Sequence, residues 1–306
     1  MQSLKKWFQR HKKSDTPLQI INDLKSAPYS DEFRDTRMNI TLDYPVVPKS
    51  RAWSGTPGIN KLQGLIECRR DTYRQWLTKF AALHEYYRTW TDIPCDEFSP
   101  SICNTWFSGL DAVVLYGMLS TRNPKSYIEI GSGESTKIAR QAIKDHKLRT
   151  KIVSIDPNPR EIIDSLCDYV VRAPFEDSLN CFFSSLSPGD VILMDGSHRC
   201  FQNSDVTVFF TEALPGLPED VIYGIHDIFL LGDYPPDWEN RFYSEQYVLV
   251  AYLLGGAGGD NIELPLKYIS EDPELSGVAK HALKSSVHAE MVLDGSSFWL
   301  HRPKHS

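Results

Sequence analysis

The stretch that decides the fold runs from residue 127 to residue 140 and reads Tyr127-Ile-Glu-Ile-Gly-Ser-Gly-Glu-Ser-Thr-Lys-Ile-Ala-Arg140. An apolar strand ends in an acid, turns through two glycines and enters a helix directly. Gly131 and Gly133 allow a tight turn, and Ser135 or Thr136 can cap the helix that follows. The free backbone N–H groups of that helix then face a ligand. This pattern is typical of the nucleotide-binding corner of an α/β sheet.

The composition is that of a globular protein that can bury a sizeable core. Of its 306 residues, 41% are hydrophobic and 24% are charged. The net charge of −7 provides no basic footprint for nucleic acid. No stretch approaches the roughly 18 consecutive apolar residues that would span a membrane. We therefore expect neither nucleic acid nor a membrane as a partner.

The cysteines and the N-terminus indicate where the protein works. None of the six cysteines forms a C-x-x-C pair, so reduced, packing cysteines are favoured over a zinc cluster or a disulfide framework. The segment from Leu4 to Lys13 is basic but lacks the apolar core of a signal peptide. It can be a frayed, solvated end or a contact with anionic lipid. We expect a cytoplasmic protein.

Two regions differ in pattern. Residues 1 to about 58 are rich in Pro, Ser, Asp and Lys, which predicts an irregular arm. Apolar residues at helical spacing predict one long helix over 60–87 and a second over 104–119. We therefore divide the chain into an N-terminal arm with a helical extension, 1–103, and a ligand-binding domain, 104–306. The extension is expected to cover the substrate side or to lie at a subunit contact of a homo-oligomer.

Beyond the glycine corner, strands and helices alternate as in parallel βαβ units. The predicted strands are Ile152–Ile155, Tyr169–Val171, Val191–Met194 and Val221–Ile225. The predicted helices are Ser135–Lys147, Pro159–Cys167 and Phe201–Leu214. Two later strands, Ile262–Ile269 and Ser297–His301, suggest an antiparallel edge added to the parallel sheet.

Polar side chains follow these strands, at the sheet edge where ligands of open α/β sheets bind. They are Glu129, Asp156, Asp195, His198, His226 and Asp227. A dinucleotide fingerprint would need glycine at position 136, where this chain has Thr136, so the NAD interpretation is weakened. Asp156 can accept ribose hydroxyls of any adenosine ligand or cap a turn before Pro157. Glu129 can contact a cofactor or support the turn from within.

Four motifs resemble those of S-adenosylmethionine-dependent methyltransferases of the Rossmann-like class. They are E-I-G-S-G-E-S-T at 129–136, I-D-P-N-P at 155–159, D-G-S-H at 195–198 and H-D-I at 226–228. The nearest resemblance is to the macrocin-type, metal-dependent O-methyltransferases of sugars and natural products, over residues 104–301. It implies a seven-stranded, mostly parallel sheet with an antiparallel last strand. It implies cofactor contacts from Glu129, Gly131, Ser132, Gly133, Asp156, Phe175, Glu176 and Asp195.

A second group of polar residues consists of Asp195, His198, His226 and Asp227. A hydroxyl acceptor must lose its proton as it attacks the sulfonium methyl group, and a divalent cation with a nearby imidazole can assist this loss. In the enzymes that the chain resembles, the D-G-S-H aspartate is a metal ligand and its histidine is the general base. The resemblance thus implies that Asp195 and Asp227 bind a cation such as Mg²⁺ and that His198 is the base.

His226 stands where the family has an acid. It can bind a softer metal, act as an acid or base, or position the substrate. Two His and two Asp also describe a non-haem iron centre, and the D-G-S-H motif alone can be a simple strand-end turn.

The loop that follows carries candidates for binding a polar acceptor. They are Tyr234, Trp238, Tyr243, Glu245 and Gln246. These side chains can instead shape the loop and cover the sheet edge. The sequence thus predicts an S-adenosylmethionine-dependent O-methyltransferase of a small-molecule hydroxyl. An NAD-dependent oxidoreductase and a non-catalytic binding module are the alternatives.

Overall fold

The computed structural model of the protein describes residues 43, 46–87, 90, 96–101, 104, 106–107, 109–159, 163–282 and 293–304. The basic start of the chain and most of the predicted arm lie outside these residues. No helix among the described residues has the length and apolar character that a membrane crossing requires.

The centre of the fold is a seven-stranded sheet. Its strands are β1 (Ser126–Ile130), β2 (Lys151–Ile155), β3 (Tyr169–Val171), β4 (Val191–Met194), β5 (Ile222–Ile225), β6 (Asn261–Pro265) and β7 (Phe298–His301). They lie in the order β3-β2-β1-β4-β5-β7-β6. Only β7 runs antiparallel to its neighbours, β5 and β6. The predicted Rossmann-like sheet is confirmed, but its antiparallel strand lies one position inside the edge.

Helices cover this sheet. They are α1 (Pro57–Glu67), α2 (Arg70–Ala81), α3 (His84–Tyr87), α4 (Gly109–Arg122), α5 (Glu134–His146), α6 (Leu179–Ser185), α7 (Asp205–Val208), α8 (Glu245–Leu254), α9 (Leu266–Glu271) and α10 (Pro273–Ala282). All five residues of β1 are buried, as expected for a central strand covered on both faces. Because the parallel strands run in the same direction, their carboxyl ends lie together at one end of the sheet.

The long helix predicted over 60–87 is wrong, because the chain breaks into α1, α2 and α3. The first break lies at Cys68 and Arg69. There the Arg69 guanidinium donates to the Ile262 carbonyl of β6 at 2.8 Å and to Glu263 at 3.1 Å. A side-chain contact with a distant strand, which periodicity does not encode, accompanies this break.

Other predicted boundaries were wrong for local reasons. The helix over 104–119 begins only at Gly109, because the Asn104 amide holds a turn by accepting from the N–H groups of Trp106 and Phe107. The strand predicted to reach Ile269 ends at Pro265, where α9 starts.

Two predicted helices are also shorter in the structure. Within 159–167 the described residues form only a 3₁₀ turn, Asp164–Leu166. The helix expected from Phe201 starts at Asp205, with Ser204 as its N-cap, and runs into a π turn at Phe209–Ala213. Short polar caps and turns therefore set these boundaries.

The helical extension packs on the sheet domain and shares its core. Phe80 of α2 lies against Gly117 of α4, where an added Cβ atom would come within 2.2 Å of the Phe80 ring. Leu62, Leu77 and Phe80 belong to the same buried cluster as the strands. The extension is thus fixed relative to the strand ends that carry the polar residues.

Candidate active site

The glycine corner, which follows β1, packs closely against the ends of β2 and β4. Gly131 has a φ of +83°, and an added Cβ atom would lie 1.8 Å from the Asp195 carbonyl oxygen. Its N–H donates to the Ile155 carbonyl at 3.0 Å. Only glycine fits this left-handed, crowded position. The corner is therefore shaped by the end of β4 as much as by a ligand.

Thr136 and Glu129 support the corner from inside the protein. The Thr136 hydroxyl accepts from the Gly133 N–H at 3.2 Å and donates to Glu129 at 2.6 Å. Glu129 also accepts from the Tyr127 hydroxyl at 2.7 Å and is fully buried. Burial raises its pKa to about 7, although the hydrogen bonds oppose the shift. Thr136 thus serves the turn where a dinucleotide-binding protein would need glycine, and Glu129 lies outside the cavity lining.

Asp156 points its carboxylate across the corner. One oxygen accepts from the Ser132 N–H and the other from the Asn158 N–H, both at 2.8 Å. Two fixed amides hold the carboxylate in one orientation and leave its remaining lone pairs available. Phe175 and Glu176 follow β3 and line the same space.

A single cavity of about 650 Å³ runs along the strand ends. We call its two parts the donor half and the acceptor half. The donor half is lined by Gly131, Ser132, Gly133, Asp156, Phe175 and Glu176. The acceptor half is lined by Asp195, His198, His226, Asp227, Trp238 and Tyr243, together with Arg199 and Arg241. The structure therefore brings twelve of the sixteen predicted site residues into one cavity.

His198 is held at the centre of the acceptor half. Its Nδ1–H donates to Glu245 at 3.0 Å, and its Nε2 lies 3.4 Å from both Asp195 and Asp227. Burial favours the neutral imidazole, but the hydrogen bonds with Asp195 and Glu245 raise the pKa of His198. The ring lies 4.6 Å from that of Tyr243. Only Nε2 faces the cavity carboxylates.

Glu245 is the buried partner that orients this imidazole. It is fully buried, and one of its carboxylate oxygens has no hydrogen-bond partner among the described residues. Burial raises its pKa to about 7, and His198 opposes the shift. The backbone closes the arrangement, because the Ser244 N–H donates to the His198 carbonyl at 2.9 Å. Glu245, predicted as a substrate contact, thus fixes the tautomer of His198.

His226 lies close to three carboxylates. Its Nδ1 lies 3.2 Å from Asp195 and 3.5 Å from Asp227, while Nε2 lies 3.7 Å from Asp111. Burial opposes protonation, but Asp195 and Asp227 raise the pKa of His226. In turn, although burial opposes ionisation of Asp195, His226 and His198 lower its pKa. We interpret His226 as an imidazolium that neutralises its acidic neighbours.

Two residues of this cluster have left-handed backbones. His198 has a φ of +59° and Asp227 has a φ of +57°. Such conformations are uncommon outside glycine and cost on the order of 1–3 kcal/mol each. Both residues turn their side chains into the cavity. The two left-handed backbones therefore belong to residues that line the cavity.

The acids and imidazoles of the acceptor half lie against one another. Among the described residues, no group of three or more His, Cys, Asp or Glu side chains has the arrangement of a metal site. Asp195 and Asp227 instead lie within 3.5 Å of imidazole nitrogens, which already balance their charge. The arrangement does not support the predicted divalent cation, whether magnesium or iron.

The aromatic loop is divided between two tasks. Trp238 and Tyr243 line the cavity, as expected for substrate contacts. Tyr234 and Gln246 lie behind them, where the Tyr234 hydroxyl accepts from the Gln246 N–H at 3.0 Å. The Gln246 side chain accepts from the Phe229 N–H at 2.9 Å. These two residues therefore shape the loop rather than line the cavity.

Sequence reasoning missed Asp111 and the two arginines. Asp111 lies in the otherwise apolar helix α4, is 3% exposed, and accepts from the N–H groups of Ser296 and Ser297. A charge inside an apolar helix must be paired when buried, and that signal could have found it. Arg199 stands in a loop and Arg241 ends a 3₁₀ helix, Pro236–Arg241, and neither carried a comparable signal.

A Rossmann-like sheet with one cavity along its strand ends defines the class of this protein. Residues 128–228 match the family model described as a methyltransferase domain. The match covers about a third of the chain and spans the glycine corner, D-G-S-H and His226-Asp227. It supports a methyltransferase. No match to a curated protein was found.

Proposed function

We propose that this protein is an S-adenosylmethionine-dependent O-methyltransferase that acts on a hydroxyl group of a small molecule, such as a sugar or another natural product. The observation that carries the proposal is the continuous cavity between the glycine corner and the imidazole of His198. A methyl donor and a hydroxyl acceptor can share this space in line with each other.

The donor half suits S-adenosylmethionine, which supplies an electrophilic methyl group when bound. The Asp156 carboxylate is held by two backbone amides, so it can accept both ribose hydroxyls without reorganising. Phe175 and Glu176 lie where the adenine would follow β3. Gly131 and Gly133 keep the backbone open for the amino-acid end, with Glu129 behind them as support.

The acceptor half suits removal of a hydroxyl proton. In the neutral form of His198, Glu245 accepts from Nδ1–H and the lone pair of Nε2 faces the cavity. Because the pKa of His198 is raised, this form becomes more populated as the pH rises. As the acceptor oxygen forms its bond to the methyl carbon and the carbon–sulfur bond breaks, Nε2 takes the hydroxyl proton. The carboxylates of Asp195 and Asp227, 3.4 Å from Nε2, stabilise the imidazolium that results.

Two other functions have less support. An NAD-dependent oxidoreductase would use the same sheet, but Thr136 occupies the fingerprint glycine position and its hydroxyl is committed to the turn. A non-catalytic binding module does not need a buried acid behind a cavity histidine, whose desolvation costs stability. The proposed reaction includes no divalent cation, since imidazoles match the carboxylates of Asp195 and Asp227.

The test combines binding and turnover. Purified protein is titrated with S-adenosylhomocysteine and with NAD by calorimetry, and it is then incubated with S-adenosylmethionine and a panel of sugars, phenols and hydroxy acids. We expect S-adenosylhomocysteine to bind and an acceptor to be methylated. His198→Asn should reduce the methylation rate on the order of 100-fold or more while leaving S-adenosylhomocysteine affinity unchanged.

The controls separate the parts of the proposal. Binding of NAD alone would overturn it, and an His198→Asn rate within a few fold of wild type would make His198 structural. Turnover should persist in a chelator. Loss of turnover in chelator, with recovery on adding Mg²⁺, would return the cation to the mechanism.

A further inference from the structure

Two arginines lie at the acceptor half of the cavity. The guanidinium carbon of Arg241 lies 3.8 Å from the ring centre of Trp238 and 5.6 Å from that of Tyr243. The guanidinium carbon of Arg199 lies 5.0 Å from the Tyr243 ring. Both arginines are partly buried and line the cavity. The proposed methyl transfer assigns no role to either positive charge.

The charge of Arg241 is not matched by an acid in the part of the chain that the structure describes. Its side chain forms no hydrogen bond or ion pair there, whereas its carbonyl accepts from Arg199 at 2.8 Å. The nearby Glu239 is already engaged, because its carboxylate accepts from the Ser50 N–H at 2.8 Å. The edge of the Arg241 guanidinium is therefore available to a ligand.

The cavity carboxylates cannot supply the missing partner. Asp195 and Asp227 pair with the imidazoles of His198 and His226. Asp205 accepts from the N–H and the hydroxyl of Ser197, at 2.6 and 2.5 Å. Within the described residues, the acids of the acceptor half are thus engaged with other groups, and none of them forms an ion pair with either arginine.

Stacking on Trp238 gives Arg241 a defined orientation. A guanidinium that lies flat on an aromatic ring keeps its N–H edge free for planar, bidentate recognition of a carboxylate or phosphate. The ring of Tyr243 lies close both to this guanidinium and to the imidazole of His198. The two ring contacts limit the separation of the imidazole and the guanidinium to about 10 Å.

We propose that the methyl acceptor carries an oxyanion, a carboxylate or a phosphate, that binds Arg241 while its hydroxyl lies at His198. This inference rests on the proposed function and narrows its substrate class to hydroxy acids and sugar phosphates. The guanidinium that would bind the anion lies within about 10 Å of the imidazole at which the hydroxyl reacts. Arg199 adds a second positive charge 5.0 Å from the Tyr243 ring.

Matched pairs of probes test this inference. Protein loaded with S-adenosylhomocysteine is titrated by calorimetry with protocatechuate and its neutral amide, and with mannose phosphorylated at its primary hydroxyl and mannose itself. We expect the charged member of at least one pair to bind on the order of 10- to 100-fold more tightly, as is typical of a charged hydrogen bond. The pair that responds distinguishes a carboxylate from a phosphate.

Variants locate the effect. Arg241→Gln should abolish the preference for the charged probe, and Trp238→Leu should reduce it by loosening the guanidinium. Arg149→Gln is the matched control, because Arg149 is exposed and precedes β2 at the opposite edge of the sheet. Thermal unfolding verifies that each variant folds.

The results that would overturn this inference differ from the result that would overturn the proposed function. No preference for a charged probe in the wild-type protein, including no binding of either member, would overturn the inference. A preference that survives Arg241→Gln would overturn it as well. Failure of S-adenosylhomocysteine to bind would instead overturn the proposed function.

Discussion

The two halves of the cavity are built in different ways. The donor half comes from the ends of three successive strands, β1, β2 and β3, and relies on backbone amides and hydroxyls, as in the contacts of Ser132 with Asp156 and of Gly133 with Thr136. The acceptor half joins segments from α4, β4, β5 and α8, and it relies on charged side chains. The fold thus encodes the shape of one half locally, while the charges of the other half meet only in the tertiary structure.

The largest expected effect comes from breaking the junction of the halves. Gly131→Ala would place a methyl group 1.8 Å from the Asp195 carbonyl at a φ of +83°. We expect the free energy of unfolding to fall by roughly 3–5 kcal/mol, because both backbone strain and a clash with rigid backbone are introduced. Chemical denaturation measures this loss.

Gly256→Ala is the matched control for strain alone. Gly256 has a φ of +100°, but an added Cβ atom would meet nothing within 4 Å. We expect a loss of only about 1–2 kcal/mol. Equal losses in the two variants would show that the contact with Asp195 does not matter for stability.

An intermediate effect tests the buried acid under the donor half. Burial raises the pKa of Glu129 to about 7 from an ordinary value of 4.5. The folded protein therefore retains a proton that the unfolded chain releases between these values. The stability that this proton provides is present below about pH 4.5 and is lost as pH rises through about 7.

Glu129→Gln removes this titration. The free energy of unfolding of the wild type, relative to the variant, should fall by on the order of 1 kcal/mol per pH unit within that window. Urea denaturation at several pH values measures the difference. Glu245 titrates in both proteins, so its contribution to the pH dependence cancels in the comparison. A difference independent of pH would show that Glu129 does not change its protonation.

The sequence predicted that the glycine corner and the group Asp195, His198, His226 and Asp227 would meet at the carboxyl edge of the sheet, and they line one cavity there. This grouping was predictable because strand ends and glycine turns follow from consecutive residues. The roles of Glu245 and Asp111 were not predictable from pattern, because each depends on where a helix from a distant part of the chain packs. The break at Arg69 and the late start of α4 likewise depend on side-chain contacts rather than on periodicity.

The smallest expected effect concerns residues 51–53, which contact the aromatic loop and the helix that follows it. The Trp53 ring lies 5.8 Å from that of Tyr247, and the Arg51 N–H donates to Asp233 at 2.9 Å. Trp53→Ala removes an aromatic pair of about 0.5–1.5 kcal/mol, so acceptor affinity should fall about 3- to 10-fold.

Calorimetry with the charged probe measures this loss, and S-adenosylhomocysteine affinity should not change. Phe183→Ala is the control, because Phe183 is exposed and packs on Phe182 outside the cavity lining. A loss of affinity for S-adenosylhomocysteine in Trp53→Ala would show that residues 51–53 support the donor half as well as the acceptor half.

The contacts of residues 50–53 with the aromatic loop also bear on how this protein can diverge. These residues lie outside the 128–228 methyltransferase match, yet they hold the loop that presents Trp238 and Arg241. Under the proposed function, a change in residues 50–53 should alter which acceptors bind and leave the sheet intact. Acceptor choice and methyl transfer would then depend on different parts of one chain.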